Sequence, residues 1–526
     1  WLIAPALVAN TTYFWKVVPK NTCGLSTGTP QIWSFTTVNA PCLNYCVPTH
    51  TTGLVANTIS LVEFVGTQND VSNNSGTGNT NAYEDFTTLP HAVQEQGEAV
   101  NLNVFSGTAS TYWKAWVDWN RDGTFQDPGE MVYTSGVTQF TFSTTFGFQI
   151  PLAQAPGSYR IRIRTQDYNG CTFLGACGNN TLTPCGNMQD GQAEDYLFEV
   201  ISRCNARITN YISDTVCSNN PVTLTLGAEG TNQTTGFNWY ANQNGGSPLA
   251  STAASGAPPA ASWTTPSINS TTTYWVTATG TNTALQACES FTRVPIVAYK
   301  PPLATINFVG GNPVYWCSGG TSINVTGSSG TIEDNLIDVD FENGTLGEFT
   351  VQNIGTLQDP VNQPWNVQTS IFVPGMTAVW KPAVSSGFGA NKFAMAISDI
   401  FNSGTYHTFL TSAAHNTTGY SNLKLQFRMY FDHYLADGQT GILDTVTVQA
   451  SNDNGANWNT LQSFIGDQGK ASNFADFSYN LAAAYNNQAN VRVRFVFGAN
   501  WTNGVAIDSI RLSGTTTASS NYVWTP

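Results

Sequence analysis

Residues Asp118 to Glu130 read DWNRDGTFQDPGE, the stretch of this chain richest in residues able to do chemistry. Asp118, Asn120 and Asp122 alternate, Gly123 follows, and Asp127 and Glu130 come soon after. Oxygen-bearing side chains at every second position, closed by a glycine, can wrap a hard cation. The glycine lets the backbone turn sharply, and the Thr124 carbonyl is then expected to point inward. Calcium takes six to eight oxygens at flexible angles, so Ca2+ is the expected cofactor. The competing reading is an Asp-Gly turn with solvated acids.

The loop resembles an EF-hand loop imperfectly. The acid due at loop position 12 falls at 13, and the loop follows YWKAWVDW, a β-type run, instead of a helix. The expectation is a calcium loop on a β-scaffold.

The elements that must position it are strands. The chain has 526 residues, 12% aromatics and 47 glycines, with Thr, Asn and Ser abundant. That mix favours short strands and polar turns, and the length implies several domains. LAAAYNNQAN (Leu481–Asn490) offers a weak helical turn. The formal charge is −14 with only 19 Lys+Arg, a poor match to nucleic acid or anionic membranes. No apolar run approaches the 18 or so residues that cross a bilayer. The chain begins at Trp1 and ends in SSNYVWTP, from which a segment of a longer polypeptide is expected, with other domains of that polypeptide among its partners. Ten cysteines lie in polar, turn-rich surroundings, which suits disulfides in an oxidising, extracellular compartment. The rival is zinc at Cys42-x3-Cys46, but no histidine or second CxxC completes it.

Residues 1–40 carry TTYFWKVVPKNTCG and QIWSFTT, and resemble the last strands of a fibronectin type III domain. Cys23 and Cys42 are plausible partners there. Residues 41–203 hold NAYEDFT, WVDWNRDGTF and GQAEDYLFEV in that order, which resembles the GEVED domain, with Gln192-Ala193 replacing the Glu-Val of its name motif. The resemblance implies an extracellular β-sandwich, mostly of Bacteroidota, and no known activity. Asp85, Glu194 and Asp195 are strand-edge acids that either complete the cation site or simply guard the edge. Cys171, Cys177 and Cys185 suggest a local staple of unreadable connectivity. Cys46, Cys204 and Cys317 are likewise unassigned.

Residues 204–300 carry DTVCSNNPVTLTL, WTTPSINSTTTYWVTA and ACESFTRVPIVAY and resemble the Ig-like repeats of Bacteroidota surface proteins, which implies that Cys217 and Cys288 bridge two sheets against Trp239. Residues 301–334 start a second copy, which is expected to resume at 515–526 around Asn521-Tyr522-Val523-Trp524. The unit between, 335–514, carries FEN, SNDNGANW and IDSI, and resembles MAM-like or choice-of-anchor jelly rolls. That resemblance implies an adhesive or carbohydrate-binding relative, often with structural calcium. Asp340, Glu342 and Asp508 are its cation candidates; the alternative is acids on exposed strand faces. The fold class expected is therefore all-β, a tandem of β-sandwich domains.

No catalytic motif emerges. None of His50, His91, His407, His415 and His433 lies in an HExxH, GxSxG or reactive-cysteine setting, and His433, beside Asp432, reads as a surface residue. Paired carboxylates distant in sequence stay open as a glycosidase reading. Trp365, Trp380, Trp458 and Trp501 fall in or near loops of the jelly-roll unit. There they would either stack on sugars or pack internally, with Trp501 the most open and Trp458 capping a hairpin. Asp214-Thr215-Val216, Asp444-Thr445-Val446 and Asp508-Ser509-Ile510 match the short O-glycosylation pattern of Bacteroidota. The expected function is a non-catalytic, calcium-stiffened adhesin or stalk at the cell surface, with surface glycans or other cell-surface proteins as partners. The alternative is accessory modules of a secreted hydrolase or protease.

Overall fold

The computed structural model of the chain describes residues 12–16, 18, 20–21, 24–25, 32–36, 45–49, 58–76, 81–107, 111–135, 141–167, 182–187, 191–243, 245–282, 285–291, 293–300, 305–308, 325–328, 331–369, 371–375, 379–386, 392–399, 405–433, 444–499 and 503–517. Among them every regular element is a strand apart from the single 3-10 turn Ala483–Tyr485. This turn is all that forms of the helical expectation over Leu481–Asn490. The all-β expectation holds, and it follows from the period-two burial of the strands. Thr111–Val117 buries Trp113, Ala115 and Val117 on one side, and Gly157–Asp167 matches them with Ile161 and Ile163.

Three sandwiches result. In the first, Met131–Thr134, Thr111–Val117, Gly157–Asp167, Ala193–Ile201 and Tyr83–Asp85 lie side by side, with Ala92–Glu95 also on Ala193–Ile201. The facing sheet orders Ser143–Gln149, Ala99–Ser106, Ile59–Val65 and Val71–Asn74. In the second, Trp239 stacks on Trp263 at 5.4 Å in a core shared with Phe237 and Ile296. In the third, the opening strand Thr331–Val339 pairs antiparallel with the closing strand Gly504–Thr517. That brings the two ends of the unit together in one sheet with Tyr420–Asp432, Phe393–Ile397, Asn366–Gln368 and Ala475–Asn480. The other sheet runs Thr350–Gly355, Tyr406–Thr411, Arg492–Ala499, Thr445–Ser451, Asn459–Phe464. Upstream, Thr12–Lys16 pairs with Ile32–Thr36, the hairpin expected from TYFWK and IWSFT.

The expected Cys217–Cys288 bridge does not form. Cys288 joins Cys204 (Cα–Cα 5.6 Å), and Cys217 is an exposed thiol. Strand Thr272–Thr281 explains why. Cys288 lies opposite Gly280, whereas Asp214 and Thr272 both neighbour Ala298, at the other end. Eight residues at about 3.4 Å each separate those ends by roughly 27 Å. A disulfide tolerates Cα separations up to only about 7 Å. Cys46 pairs with Cys185 across 139 residues, so the staple expected within 171–185 reaches far outside it. Cys23, Cys42, Cys171, Cys177 and Cys317 lie outside the described residues, as does 515–526 beyond Thr517.

No sequence pattern announced the contact between the first and third sandwiches. Residues Val379 to Val384 run along the edge strand Ser143–Gln149. Lys381 N–H donates to the Thr145 carbonyl (3.0 Å), and Gly147 N–H donates to the Lys381 carbonyl (2.8 Å). The Asn101 amide brackets Ala383 from both sides, and Tyr133 Oη donates to the Val379 carbonyl at 2.6 Å. A Cβ on Gly147 would stand 2.6 Å from the Ala383 nitrogen, so only glycine permits this approach.

Candidate functional sites

The 118–130 loop leaves strand Thr111–Val117 and folds back through left-handed Arg121 (φ 59°) and Gly123 (φ 85°). Asp118 is fully buried. Its Oδ1 accepts the Asp122 N–H (3.2 Å), and its Oδ2 accepts the Gly123 N–H (3.0 Å) and the Tyr45 hydroxyl (2.6 Å). Asn120 donates its amide to Asp127 Oδ2 (2.6 Å) and Asp122 Oδ2 (3.3 Å). The Thr124 N–H donates to Asp122 Oδ1 (2.8 Å), the main reason that carboxyl sits below the usual carboxylate range. Glu130 is 2% exposed; its Oε2 accepts the Asp127 N–H (3.0 Å), while its buried Oε1 has no hydrogen-bond partner. Burial pushes the Glu130 carboxyl up, and the charges of Asp118, Asp127 and Asp122 add to it. Hydrogen bonds within the loop thus tie Asp118 to Asp122, Asn120 to Asp122 and Asp127, and Asp127 to Glu130. A buried carboxylate oxygen without a hydrogen-bond partner, set among like charges, is chemistry that fits a hard cation. Even so, among the described residues no group of three or more His, Cys, Asp or Glu stands in metal-holding geometry.

Asp85, Glu194 and Asp195 do not join it. Asp195 Oδ1 receives Arg162 Nε (2.7 Å), and its Oδ2 receives Arg162 Nη2 (2.8 Å) and Arg160 Nη1 (2.9 Å). Asp195 and Arg162 are both fully buried. Buried charges persist when paired, and these are. Asp85 is exposed and holds Thr87 and the edge of Arg160. Glu194 lies on the opposite face of its strand, receiving the Tyr196 hydroxyl (2.6 Å) and Ser75 Oγ (3.1 Å); burial pushes its carboxyl up to about 8. The Tyr45 ring stands between the two groups, with Arg160 stacked over it at 4.2 Å. Tyr45 is fixed by its neighbour Cys46 and by contact with the small core of Trp116, Phe125 and Leu182. The long-range disulfide thus supports the loop from behind.

In the third sandwich, Asp508 is wholly buried and accepts the Ser509 N–H (2.6 Å) and the Ser386 hydroxyl; burial pushes its carboxyl up to about 7, and the nearby charge of Glu342 acts the same way. Phe341 (φ 58°), just past the end of the opening strand, and Ser509 (φ 55°), within the closing strand, are left-handed at this point. Asp340 is exposed, where it caps the Glu342 N–H (3.1 Å). The structure therefore brings Asp508 and Glu342 together and leaves Asp340 in a turn.

The tryptophans divide. Trp365 (2% exposed) donates to the Thr408 carbonyl and Trp380 (1%) donates to Asp432 Oδ2 at 2.6 Å, so both are internal. Trp501 lies outside the described residues. Trp458 is half-buried beyond the Asn452–Asn457 turn, with the Arg494 guanidinium over its ring at 4.0 Å. Arg494 also lies 5.0 Å from the Phe409 ring, and exposed His407 stacks on Phe409 in turn. Arg494 Nε donates to Gln449 Oε1 (2.7 Å), and Gln449 Nε2 donates to Thr460 Oγ1 (3.2 Å). These side chains share the outer face of the five-stranded sheet, because Leu410, Val448, Val493 and Phe495 point into the core. The result is a flat aromatic and amide surface spanning neighbouring strands. Sequence reasoning picked out Trp458 but missed Phe409 and Arg494. The signal was the alternation in YHTFLT and RVRFVFGA, which leaves Phe409 beside His407 and Arg494 beside Arg492 on the outside.

His433 donates its backbone N–H to Asp467 Oδ1 (2.7 Å) beside a cavity of about 240 Å³. Asp432 there is committed to Trp380, Tyr430 and Asn503. Of the three glycosylation-type matches, Thr215 is exposed, whereas Thr445 and Ser509 are partly covered.

Residues 112–199 match the family model of the GEVED domain, and residues 206–301 match that of the Ig-like domain, CHU_C associated. No curated protein matches the chain. Among solved structures it is similar to TmCBM61 in complex with β-1,4-galactotriose (11% identity, 34% of this chain and 97% of that one, TM-score 0.22). It is also similar to CBM27-1 of Caldicellulosiruptor saccharolyticus in complex with mannohexaose (16%, 33% and 94%, TM-score 0.23). A third is the K3 cleaved adhesin domain of Lys-gingipain from Porphyromonas gingivalis W83 (15%, 35% and 100%, TM-score 0.24).

Proposed function

We propose that this chain is a non-catalytic binding segment of a secreted cell-surface protein, and that the outer face of its five-stranded sheet binds glycans. The observation that carries this is the half-buried stack of Phe409, Arg494 and Trp458 on the outer face, bordered by Gln449 and Thr460. Flat rings offer apolar area to sugar faces, and neighbouring amides and hydroxyls reach sugar hydroxyls. The β-sandwich scaffold holds these groups on rigid strands, which spares the entropy of ordering them on binding.

We propose further that Asp118, Asn120, Asp122, the Thr124 carbonyl, Asp127 and Glu130 hold calcium. The orphaned Glu130 Oε1 supports this. Asp508 and Glu342 would form a second cation locus. Bound calcium would neutralise each acid group and stiffen its sandwich. The test is a glycan array probed with the 526-residue chain, with calcium and with chelator. Binding to at least one sugar class is expected, and binding to none in either condition overturns the glycan reading.

A further inference from the structure

The five strands of the open face, TVQNIG, YHTFLT, RVRFVFGA, TVTVQAS and NTLQSF, contain no aspartate or glutamate. This occurs in a chain with 33 Asp+Glu against 19 Lys+Arg. The opposite sheet of the same sandwich carries Glu333, Asp334, Asp338, Asp432, Asp476 and Asp508 in its strands. One sheet has thus kept its acids and the other has none, and the acid-free sheet carries Arg492, Arg494 and His407.

Arg160, Arg162, Arg203, Arg207, Arg428 and Arg511 all pair with carboxylates. Among the described residues Arg121, Arg164, Arg293, Arg492 and Arg494 have no ion pair; the first four give Nη groups to backbone carbonyls, and Arg494 does not. Its hydrogen bond there runs from Nε to Gln449. The two rings hold the guanidinium plane in place, and the Gln449 bond fixes its rotation. The Nη edge is left directed away from Gln449, oriented but uncommitted. Burial lowers its pKa with no neighbouring acid raising it, and it stays charged at neutral pH because arginine titrates so high. A guanidinium held in this way matches a carboxylate with two parallel N–H···O bonds.

We propose that the open face selects acidic glycans, those bearing uronic or sialic acid carboxylates, with Arg494 receiving the carboxylate and Phe409 and Trp458 the sugar faces. This rests on the glycan reading above.

The test is titration calorimetry of the 526-residue chain against short oligosaccharides of hyaluronan, alginate and polygalacturonate and against sialyllactose, each beside its carboxyl-reduced counterpart. At least one acidic ligand is expected to bind at least 10-fold more tightly than its reduced form. Arg494→Gln should lose about 10- to 100-fold on that ligand, the scale of a charge-assisted bidentate pair. Arg494→Lys, which keeps the charge without the fork, should fall between. A melting curve for each variant separates lost binding from lost folding. Equal binding of acidic and reduced forms, or acid binding indifferent to Arg494→Gln, overturns the selectivity while leaving the glycan reading standing. Binding to no acidic or neutral sugar overturns both.

Discussion

Asp195→Asn separates a structural acid from a cation ligand in the first sandwich. The side chain keeps its shape and loses its charge. In the native fold its two oxygens take three hydrogen bonds at 2.7–2.9 Å from Arg160 and Arg162, and both Asp195 and Arg162 have fully buried side chains. Removing one partner of a buried pair leaves the other charge uncompensated, at a cost of about 3–5 kcal/mol. In a sandwich of this size 1 kcal/mol moves the melting point by roughly 2–4 °C, so a drop of roughly 6–20 °C is expected. Calcium provides the contrast. At 10 mM ion, a site with the extracellular dissociation constant of about 0.1–1 mM adds roughly 1.4–2.7 kcal/mol. Scanning calorimetry with and without 10 mM calcium should show the full calcium shift persisting in Asp195→Asn and vanishing in Asp118→Asn. A calcium shift lost in Asp195→Asn, with the calcium-free melting point unchanged, would refute the assignment and return Asp195 to the cation site.

Other expectations follow from the same packing. Gly147→Val should clash with Ala383 and separate the first and third sandwiches, at a cost of about 1–3 kcal/mol and with a larger radius of gyration in solution scattering; an unchanged radius counts against the edge pairing. Cys204→Ser should cost about 2–5 kcal/mol, whereas Cys217→Ser should cost almost nothing, readable as two melting curves. The Glu194 carboxyl is held in its protonated form, raised from 4.5 to about 8. Its contribution is complete below pH 4.5 and is lost as pH rises through about 8, because the unfolded chain binds fewer protons across that window. Glu194→Gln should therefore flatten the alkaline fall of the melting point, and an identical pH profile in the variant contradicts this.

The strands were readable because burial alternates so regularly. In TYWKAWV and RVRFVFGA the inward set is apolar at every second residue, and a slip of one would expose it all. The turn of the 118–130 loop was readable because its oxygen-bearing side chains lie close together in sequence and it carries its own glycines. Features that depend on which strands become neighbours were not readable. Cys288 chose Cys204 over Cys217 because of strand direction, and no spacing of cysteines encodes that. Asp195 looked like a ligand until Arg162 arrived opposite it on the next strand. Trp365 and Trp380 sit in loop-like sequence yet fold inward, and the open face shows only when five separated strands are laid side by side.

The most direct test of the binding face is the affinity of the chain for its best array sugar, measured for the native protein and for a Phe409→Ala, Trp458→Ala double variant. Both substitutions are on the surface and leave the core residues Leu410, Val448, Val493 and Phe495 untouched. The expected result is a loss of at least about 10-fold in affinity, the scale of about 1.4 kcal/mol from two lost ring contacts, with the melting point shifted by no more than a few degrees. Unchanged affinity in the double variant would contradict it and place the sugar elsewhere on the molecule.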